Sequence, residues 1–435
     1  MTNPRLFRCV ILALLLGSFP GIVFASGFFT PEIGTRSVAR GGAFIAACDD
    51  LTAVAINPGA LSRIKGTNIL LQNNHDVMHT WYRREPYLPA VYNRNPTDSI
   101  PFLAVSSDFG LDDWTFAFGG YGPFGVTQRY PDTGPQRYSV HEANSVKYNI
   151  MLGIGWQPLK WLRLGFQGGI TQLSKEDYYG YSFLQDRNPK YDIKARFLAA
   201  SDYLFEWTGG IILEPAPWIA IAFSYEPGMP VDLKGTVRAE MPEFYAALLG
   251  FDIYEDPIVV GIYWPPHYRG GVRWLYRDIV DFEVAFSFIP WSMLSEFPVD
   301  LEKETLLPDF DLPLMWQDSW SYRFGSTWFV NDHWRVSAGY YYEEPATPVK
   351  TLGPGGVESE RNVFSGGVTL SYFGIDLDLA YAHVFMNDTI NDIPNTDSAL
   401  DDGRGRYKGN YDHFVGGINF NIEKMHYTMK RRKQK

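Results

Sequence analysis

The chain of 435 residues contains only two cysteines. Cys9 directly precedes the first apolar run and is expected to be lost with it, which leaves Cys48 alone and no internal disulfide. Beyond Val10–Leu16 no stretch of 18 apolar residues occurs, which excludes a helical membrane protein. Positive charge is also scarce: 38 Lys and Arg stand against 49 Asp and Glu, a formal net charge of −11. A nucleic-acid partner, which needs a basic face, is therefore not expected. Catalytic signatures are missing. No HExxH, GxSxG or P-loop is present, and the eight histidines are scattered. His75 and His79 have the helical spacing of metal ligands but fall in an expected loop. The sequence gives no reason to expect an enzyme, a cofactor or a bound metal.

At the N-terminus Arg5 and Arg8 precede the apolar run, Pro20-Gly21 interrupts it, and Val23-Phe24-Ala25 offers small or apolar residues where a signal peptidase reads. Residues 1–25 are thus expected to be a signal peptide, cleaved after Ala25. Ile45-Ala46-Ala47-Cys48 has the look of an acylation site, but it lies far beyond the run that would present it. A small buried thiol is the expectation.

The chain is rich in Gly (41), Phe (30), Tyr (27) and Trp (13). Many segments alternate apolar and polar residues, the period of a strand with two different faces. Val146, Tyr148, Ile150, Leu152, Ile154 and Trp156 oppose Lys147, Asn149, Gly153 and Gln157. Leu162, Leu164, Phe166 and Ile170 oppose Arg163, Gln167 and Thr171. Phe282, Val284, Phe286 and Phe288 oppose Glu283, Ala285 and Ser287. Ile375, Leu377, Leu379, Tyr381 and Phe385 oppose Asp376 and Asp378, and Phe414, Gly416, Ile418, Phe420 and Ile422 oppose Asn419 and Asn421. Alternation suits a soluble sandwich or a membrane barrel, and connection lengths separate the two. Short turns are expected at 108–113, 157–161, 214–218, 276–281, 330–334 and 372–375. Long loops are expected near 76–99, 122–141, 174–203, 227–264, 292–316, 344–360 and 387–408. Short turns at one end and long loops at the other mark an outer-membrane barrel, and six plus seven connections join an even fourteen strands. Trp114, Trp161, Trp218 and Trp334 sit at short turns, as an interfacial aromatic girdle does.

The fold class expected is all-β: a 14-stranded antiparallel transmembrane β-barrel over 66–423, in the bacterial outer membrane. Residues 26–65 do not read as a strand and are too short to fold alone. They are expected to form an N-terminal plug, or hatch, inside a lumen that otherwise stays open. Residues 424–435 form a basic C-terminal tail.

The segments Ala39-Arg40-Gly41-Gly42-Ala43-Phe44, Asp49-Asp50-Leu51-Thr52-Ala53 and Asn57-Pro58-Gly59-Ala60-Leu61 carry a family likeness. So do Gly27-Phe28, Asp108-Phe109-Gly110 with Tyr121-Gly122-Pro123-Phe124-Gly125, Pro265 to Gly271, Trp316-Gln317-Asp318-Ser319-Trp320, Trp334 to Tyr340 with Pro345, and Gly417 to Asn421. In order and spacing they resemble the FadL family of outer-membrane transporters for long-chain fatty acids and aromatic hydrocarbons. Gly59 departs from the family's Asn-Pro-Ala, and the basic tail runs on past the last strand, where the family tends to end on an aromatic residue. The resemblance implies a plugged barrel, capture of substrate outside, and exit through a gap in the wall at a kinked third strand. Gly119-Gly120 and Gly122-Pro123 are expected to end that strand, where an opening and an ordinary loop entry are equally open readings.

The residues expected to bind ligand or gate the plug are Phe28, Phe29, Gly41, Gly42, Phe44, Asn57, Pro58 and Gly59. The phenylalanines could equally anchor the plug, Asn57-Pro58-Gly59 reads first as a tight turn, and Asp49-Asp50, which could bind a cation, reads first as turn capping. A carboxylate ligand could be received by an inward Arg163, Arg273, Arg323 or Arg335. The competing reading pairs these with lumen acids such as Glu283, Asp376 or Asp378. The expected function is passive uptake of hydrophobic small molecules by a monomer among outer-membrane lipids. A membrane-embedded lipid hydrolase, an adhesion barrel and a general porin are the alternatives.

Overall fold

The computed structural model describes residues 32–94, 97–181, 188–303, 309–393 and 403–433. The expected signal segment, Phe28 and Phe29 lie outside them. Fourteen antiparallel strands close into a barrel. They are β1 (Asn68–Arg83), β2 (Thr97–Ser107), β3 (Trp114–Arg129), β4 (Glu142–Leu159) and β5 (Leu162–Tyr181). β6 runs as Ile193–Ser201 and Leu204–Ala216, β7 as Ile219–Glu226 and Met229–Glu240, and β8 as Ile253–Trp264 and His267–Tyr276. β9 is Val280–Ile289 continued by Glu296–Leu301, and β10 is Phe310–Pro313 leading to Ser319–Phe329. β11 (Trp334–Glu343), β12 (Arg361–Tyr372), β13 (Ile375–Met386) and β14 (Gly405–Asn421) complete the wall. β1 pairs with β14 from Asn68 opposite Asn421 to Arg83 opposite Arg406, so no sheet edge remains at the seam.

The outside of this cylinder is apolar and the inside polar. Leu152 and Phe205 are each 66% exposed on the outer surface, whereas Lys147 and Glu283, one residue out of phase with such positions on their own strands, are 2% and 1% exposed. A side-chain period of two makes this separation automatic once register is set. An exterior of this composition is stable only against hydrocarbon. Trp161, Trp218 and Trp334 stand half-exposed at the short-turn end, and the rings of Trp114 and Trp156 stack there at 5.1 Å.

All six expected short turns are present between consecutive strands. The expected long loops need correction. Met229–Glu240 and Ile253–Trp264 are strands joined by a short helix, α3 (Glu243–Leu249), and β5 and β6 reach Tyr181 and back from Ile193. The loops near 76–99 and 122–141 likewise give up residues to β1 and β3. The reason is a reversal of polarity. In the outer part of the wall Ala195, Phe197, Val231, Leu233, Ile258 and Val260 point inward and are buried, while Lys194, Asp232 and Lys234 face out. Breaks at Asp202-Tyr203, Pro227-Gly228 and Pro265-Pro266 shift the inward phase in three neighbouring strands. A one-residue shift exchanges the two faces of a strand.

Two short helices, α1 (Thr35–Ala39) and α2 (Ala53–Ile56), and a 3-10 turn (Pro58–Arg63) lie inside the short-turn end. Nearly every residue from Gly34 to Ser62 is buried. No helix among the described residues is long and apolar enough to cross a membrane.

Candidate functional site

The N-terminal segment is held against the wall by charge and by close backbone approach. Glu283 on β9 accepts hydrogen bonds from the backbone N–H groups of Ile45 (2.8 Å), Ala46 (2.9 Å) and Ala47 (2.7 Å). Arg40 binds Asp281 at 2.5 Å and donates to the Ala43 carbonyl at 2.9 Å. Arg36 reaches Asp376 (2.7 Å), Asp49 (3.1 Å) and Asp378 (3.2 Å), with Asp50 at 4.0 Å. Burial pushes the Asp50 carboxyl up to about 6, against the opposing pull of Arg36. Arg63 binds Glu214 at 2.7 Å. Such buried charges hold their places because each is paired.

Wall glycines make room for this segment. A Cβ on Gly165 would stand 2.0 Å from the Pro58 carbonyl carbon, one on Gly210 2.0 Å from Asn57 Oδ1, and one on Gly339 2.0 Å from the Arg40 carbonyl carbon. Gly41, at φ 58°, has the Tyr340 nitrogen 2.7 Å from where its own Cβ would be. Asn57 caps the 3-10 turn, receiving the Gly59 N–H at 3.1 Å, and its amide donates to the Ile45 carbonyl at 3.2 Å. The tight-turn reading of Asn57-Pro58-Gly59 therefore describes its local structure. Asp50 caps locally by receiving the Thr52 N–H at 2.9 Å, whereas Asp49 bridges Arg36 and Arg335. Cys48 is a buried free thiol.

Above the segment lies a cavity of about 70 Å³. Gly42, Ile45, Ala55 and Ile56 form its floor, and Tyr121, Pro123, Glu226, His267, Arg269 and Arg323 are among its walls. Its charges are matched. Arg269 faces Glu226 at 3.8 Å, Arg323 contacts Glu32 and lies 3.7 Å from Glu343, and Lys147 binds Glu206 at 2.6 Å. His267 Nε2 is 2.6 Å from Ser287 Oγ, a spacing that suggests a hydrolytic pair. The partner of the other ring nitrogen decides against it. Arg269 Nη2 lies 2.8 Å from His267 Nδ1 and can only donate. Nδ1 therefore accepts, Nε2 carries the proton, and the imidazole has no lone pair to take the serine proton.

Farther out, the inward apolar residues gather into a cluster. Trp264 and Trp291 meet edge to face at 6.1 Å, and Trp291 and Trp316 at 5.1 Å. Phe124, Leu173, Phe297 and Leu314 pack around them. Lys147 Nζ lies 4.4 Å over the Trp264 ring, where the charged belt meets the apolar cluster. Sequence reading missed this cluster because its tryptophans fall in segments that looked like loops or strand ends.

The ladder between β2 and β3 is interrupted. β3 pairs with β2 only from Phe116 opposite Ser107 to Tyr121 opposite Phe102. Farther out, Thr97–Pro101 of β2 pair with β1, and β3 pairs with β4 through a register shift between Tyr121 and Phe124. Gly122 and Pro123 form that bulge, so they do not end the strand as expected but kink it. The stacked rings of Phe102 and Tyr121, 5.2 Å apart, form the inner lip. The Thr127 N–H bound to Asp98 at 2.9 Å closes the outer lip. Ile100 fills the space between, with a methyl 2.7 Å from the position of a Gly122 Cβ and another 3.1 Å from that of Gly125. Gly119 and Gly120 lie below, in the paired part.

Of the arginines proposed to receive a carboxylate, Arg163 binds Glu214, Arg273 binds Asp281 and Arg335 binds Asp49, each at 2.8 Å. Arg323 alone of the four lines the cavity. The acids named as their partners serve otherwise: Glu283 holds plug backbone, and Asp376 and Asp378 hold Arg36. Phe44 is buried in a cluster that the N-terminal segment shares with wall residues such as Phe102, Tyr121 and Met151, and it does not line the cavity, whereas Gly42 does. Arg36 and Arg40 were the residues overlooked. Their spacing of four, two arginines in a segment of small residues, was the available signal.

Residues 18–423 match the family described as outer membrane protein transport protein (OMPP1/FadL/TodX). Among solved structures, a FadL homologue from Pseudomonas aeruginosa superposes with a TM-score of 0.79 at 16% identity, over 91% of this chain and 100% of that one. The toluene transporter TodX of Pseudomonas putida gives 0.69 at 14% identity, over 91% and 99%. The toluene transporter TbuX of Ralstonia pickettii gives 0.67 at 14%, over 90% and 99%. These similarities bear on the fold. No curated protein matches the chain by sequence.

Proposed function

The chain belongs to the outer membrane protein transport family (OMPP1/FadL/TodX), and on that premise we propose that it admits lipophilic small molecules passively and releases them sideways through the wall. The observation that carries this is the shared boundary of cavity and kink: Tyr121 and Pro123 line the cavity and also form the bulge beside Ile100. A molecule gathered by the tryptophan cluster descends past Lys147 to the cavity and leaves between β2 and β3 into hydrocarbon.

At about 70 Å³ the cavity holds a few waters. Ligand sites run to roughly 300 Å³ or more. The plug must shift for a ligand to pass, which breaks its ion pairs and also its apolar contacts with wall residues such as Phe102, Tyr121, Met151 and Ile212. No described residue suggests a contact for energy coupling, so transport follows the gradient.

Long-chain fatty acids and similar lipophiles are the substrate class. Because the cations about the cavity all face carboxylates, the uncharged members of that class are favoured. An ionised headgroup would have to displace Glu226, Glu32 or Glu343 from its arginine, whereas an alcohol or hydrocarbon would not. The test is uptake by intact cells carrying this chain as their sole channel of the kind, comparing a long-chain alcohol with the fatty acid of equal length at a pH that ionises the acid. Faster entry of the alcohol is expected. Admission of sugars with exclusion of both lipophiles would mark a general porin.

A further inference from the structure

The chain does not stop at its last strand. A twelve-residue helix, α4 (Ile422–Lys433), follows β14 directly. Lys424, Lys430, Arg431, Arg432, Lys433 and Lys435 are basic, and from Lys424 onward there is no Asp or Glu. Six cations in this stretch contrast with a whole chain of net charge −11.

The base of α4 is fixed to the rim. The Ile422 N–H donates to the Thr67 carbonyl at 2.9 Å, and Glu423 accepts the Thr67 N–H at 2.7 Å. Asn421 caps the first turn, receiving the Lys424 N–H at 2.9 Å. A Cβ on Gly374, in the β12–β13 turn, would stand 2.7 Å from the Met425 nitrogen, so this turn presses on the helix as well. The root of α4 therefore sits at the short-turn end, which faces the periplasm in outer-membrane barrels. Lipid-facing Tyr372 and Trp334 lie on the same rim, 50% and 44% exposed. A short, strongly cationic helix rooted at a lipid–water boundary is placed to meet charged headgroups.

We propose that α4 binds anionic phospholipid headgroups, such as those of phosphatidylglycerol, in the periplasm-facing leaflet. Charge complementarity selects this occupant: a phosphate surface attracts a polybasic segment with roughly fivefold tighter binding per Lys or Arg near it. The four consecutive cations Lys430 to Lys433 then give a preference well above tenfold over a zwitterionic lipid, and the preference weakens with salt because the contacts are exposed.

The experiment uses the full chain purified in mixed micelles of phosphatidylglycerol and phosphatidylethanolamine, with the lipids retained counted by native mass spectrometry. The comparison is the fourfold variant K430Q/R431Q/R432Q/K433Q, in which glutamine preserves helix propensity. Heat-modifiable gel mobility confirms the barrel. Wild type is expected to retain phosphatidylglycerol at least tenfold over phosphatidylethanolamine, and the variant to lose that preference. In wild type alone, raising salt from about 0.05 to 0.5 M should also abolish it. Equal retention of the two lipids by wild type, a preference unchanged in the variant, or binding transferred to soluble peptidoglycan fragments would each overturn the proposal.

Discussion

The carboxylate of Glu283 lies 2.8 Å from the backbone nitrogen of Ile45, and the next two N–H groups of the chain converge on the same side chain. A wall residue thus holds the plug by its backbone, without depending on the plug's side chains. Replacing Glu283 by Ala leaves these buried donors without their partner, which costs on the order of 3 kcal/mol. The ratio of docked to undocked plug should fall roughly a hundredfold by the same measure. Single-channel recording in planar bilayers should show frequent large openings in Glu283→Ala that are rare in wild type, while the barrel keeps its heat-modifiable mobility.

Gly165 tests steric fit independently of charge. Its missing Cβ leaves the space into which Pro58 settles, 2.0 Å away. Gly165→Val cannot be accommodated by rotation of a flexible side chain, because the obstructing atoms are backbone. The variant should assemble as a barrel with its plug displaced, seen as protease cleavage within 32–65 that wild type resists. Uncleaved plug in a folded Gly165→Val barrel would mean that the segment is not seated as described.

Asp50 should make docking depend on pH. Its carboxyl titrates at about 6 when docked, raised by burial, and near the ordinary value of about 3.9 when released. A raised acid favours the docked state while protonated. Between pH 4 and 6 the released form binds fewer protons, so rising pH weakens docking, and the loss is complete above about 6. Two pKa units correspond to on the order of 2–3 kcal/mol. Channel openings should therefore increase from pH 4.5 to pH 7 in wild type, and Asp50→Asn should flatten that dependence.

Much of this architecture was legible in the sequence because a transmembrane strand writes its two environments into alternate residues. Val146 to Gln157 shows both faces plainly, and the six short turns follow from the same pattern. The outer wall was harder to read. Around Val231 and Ile258 the apolar face turns inward and the polar face meets water, so these strands look like ordinary soluble sequence interrupted by prolines. The small residues of 34–62 marked the segment as no strand of the wall, but its partners in the wall could not be read. Glu283 alternates correctly into the lumen, yet nothing in one dimension says whether it meets an arginine or three backbone amides. Likewise Gly122-Pro123 signalled a disturbance in β3, while Ile100 as the side chain that fills it required knowledge of which strand lies alongside.

Exit between β2 and β3 is the central claim, and a crosslink across the opening tests it most directly. Ile100→Cys and Gly122→Cys, joined as a disulfide, would lock the space that Ile100 now fills. Uptake of a long-chain alcohol by intact cells should fall at least tenfold in the oxidised double variant and return on reduction, with each single variant near wild type. Undiminished uptake through the locked wall, with the disulfide verified by mass spectrometry, would contradict lateral release and send the substrate through the plugged lumen instead.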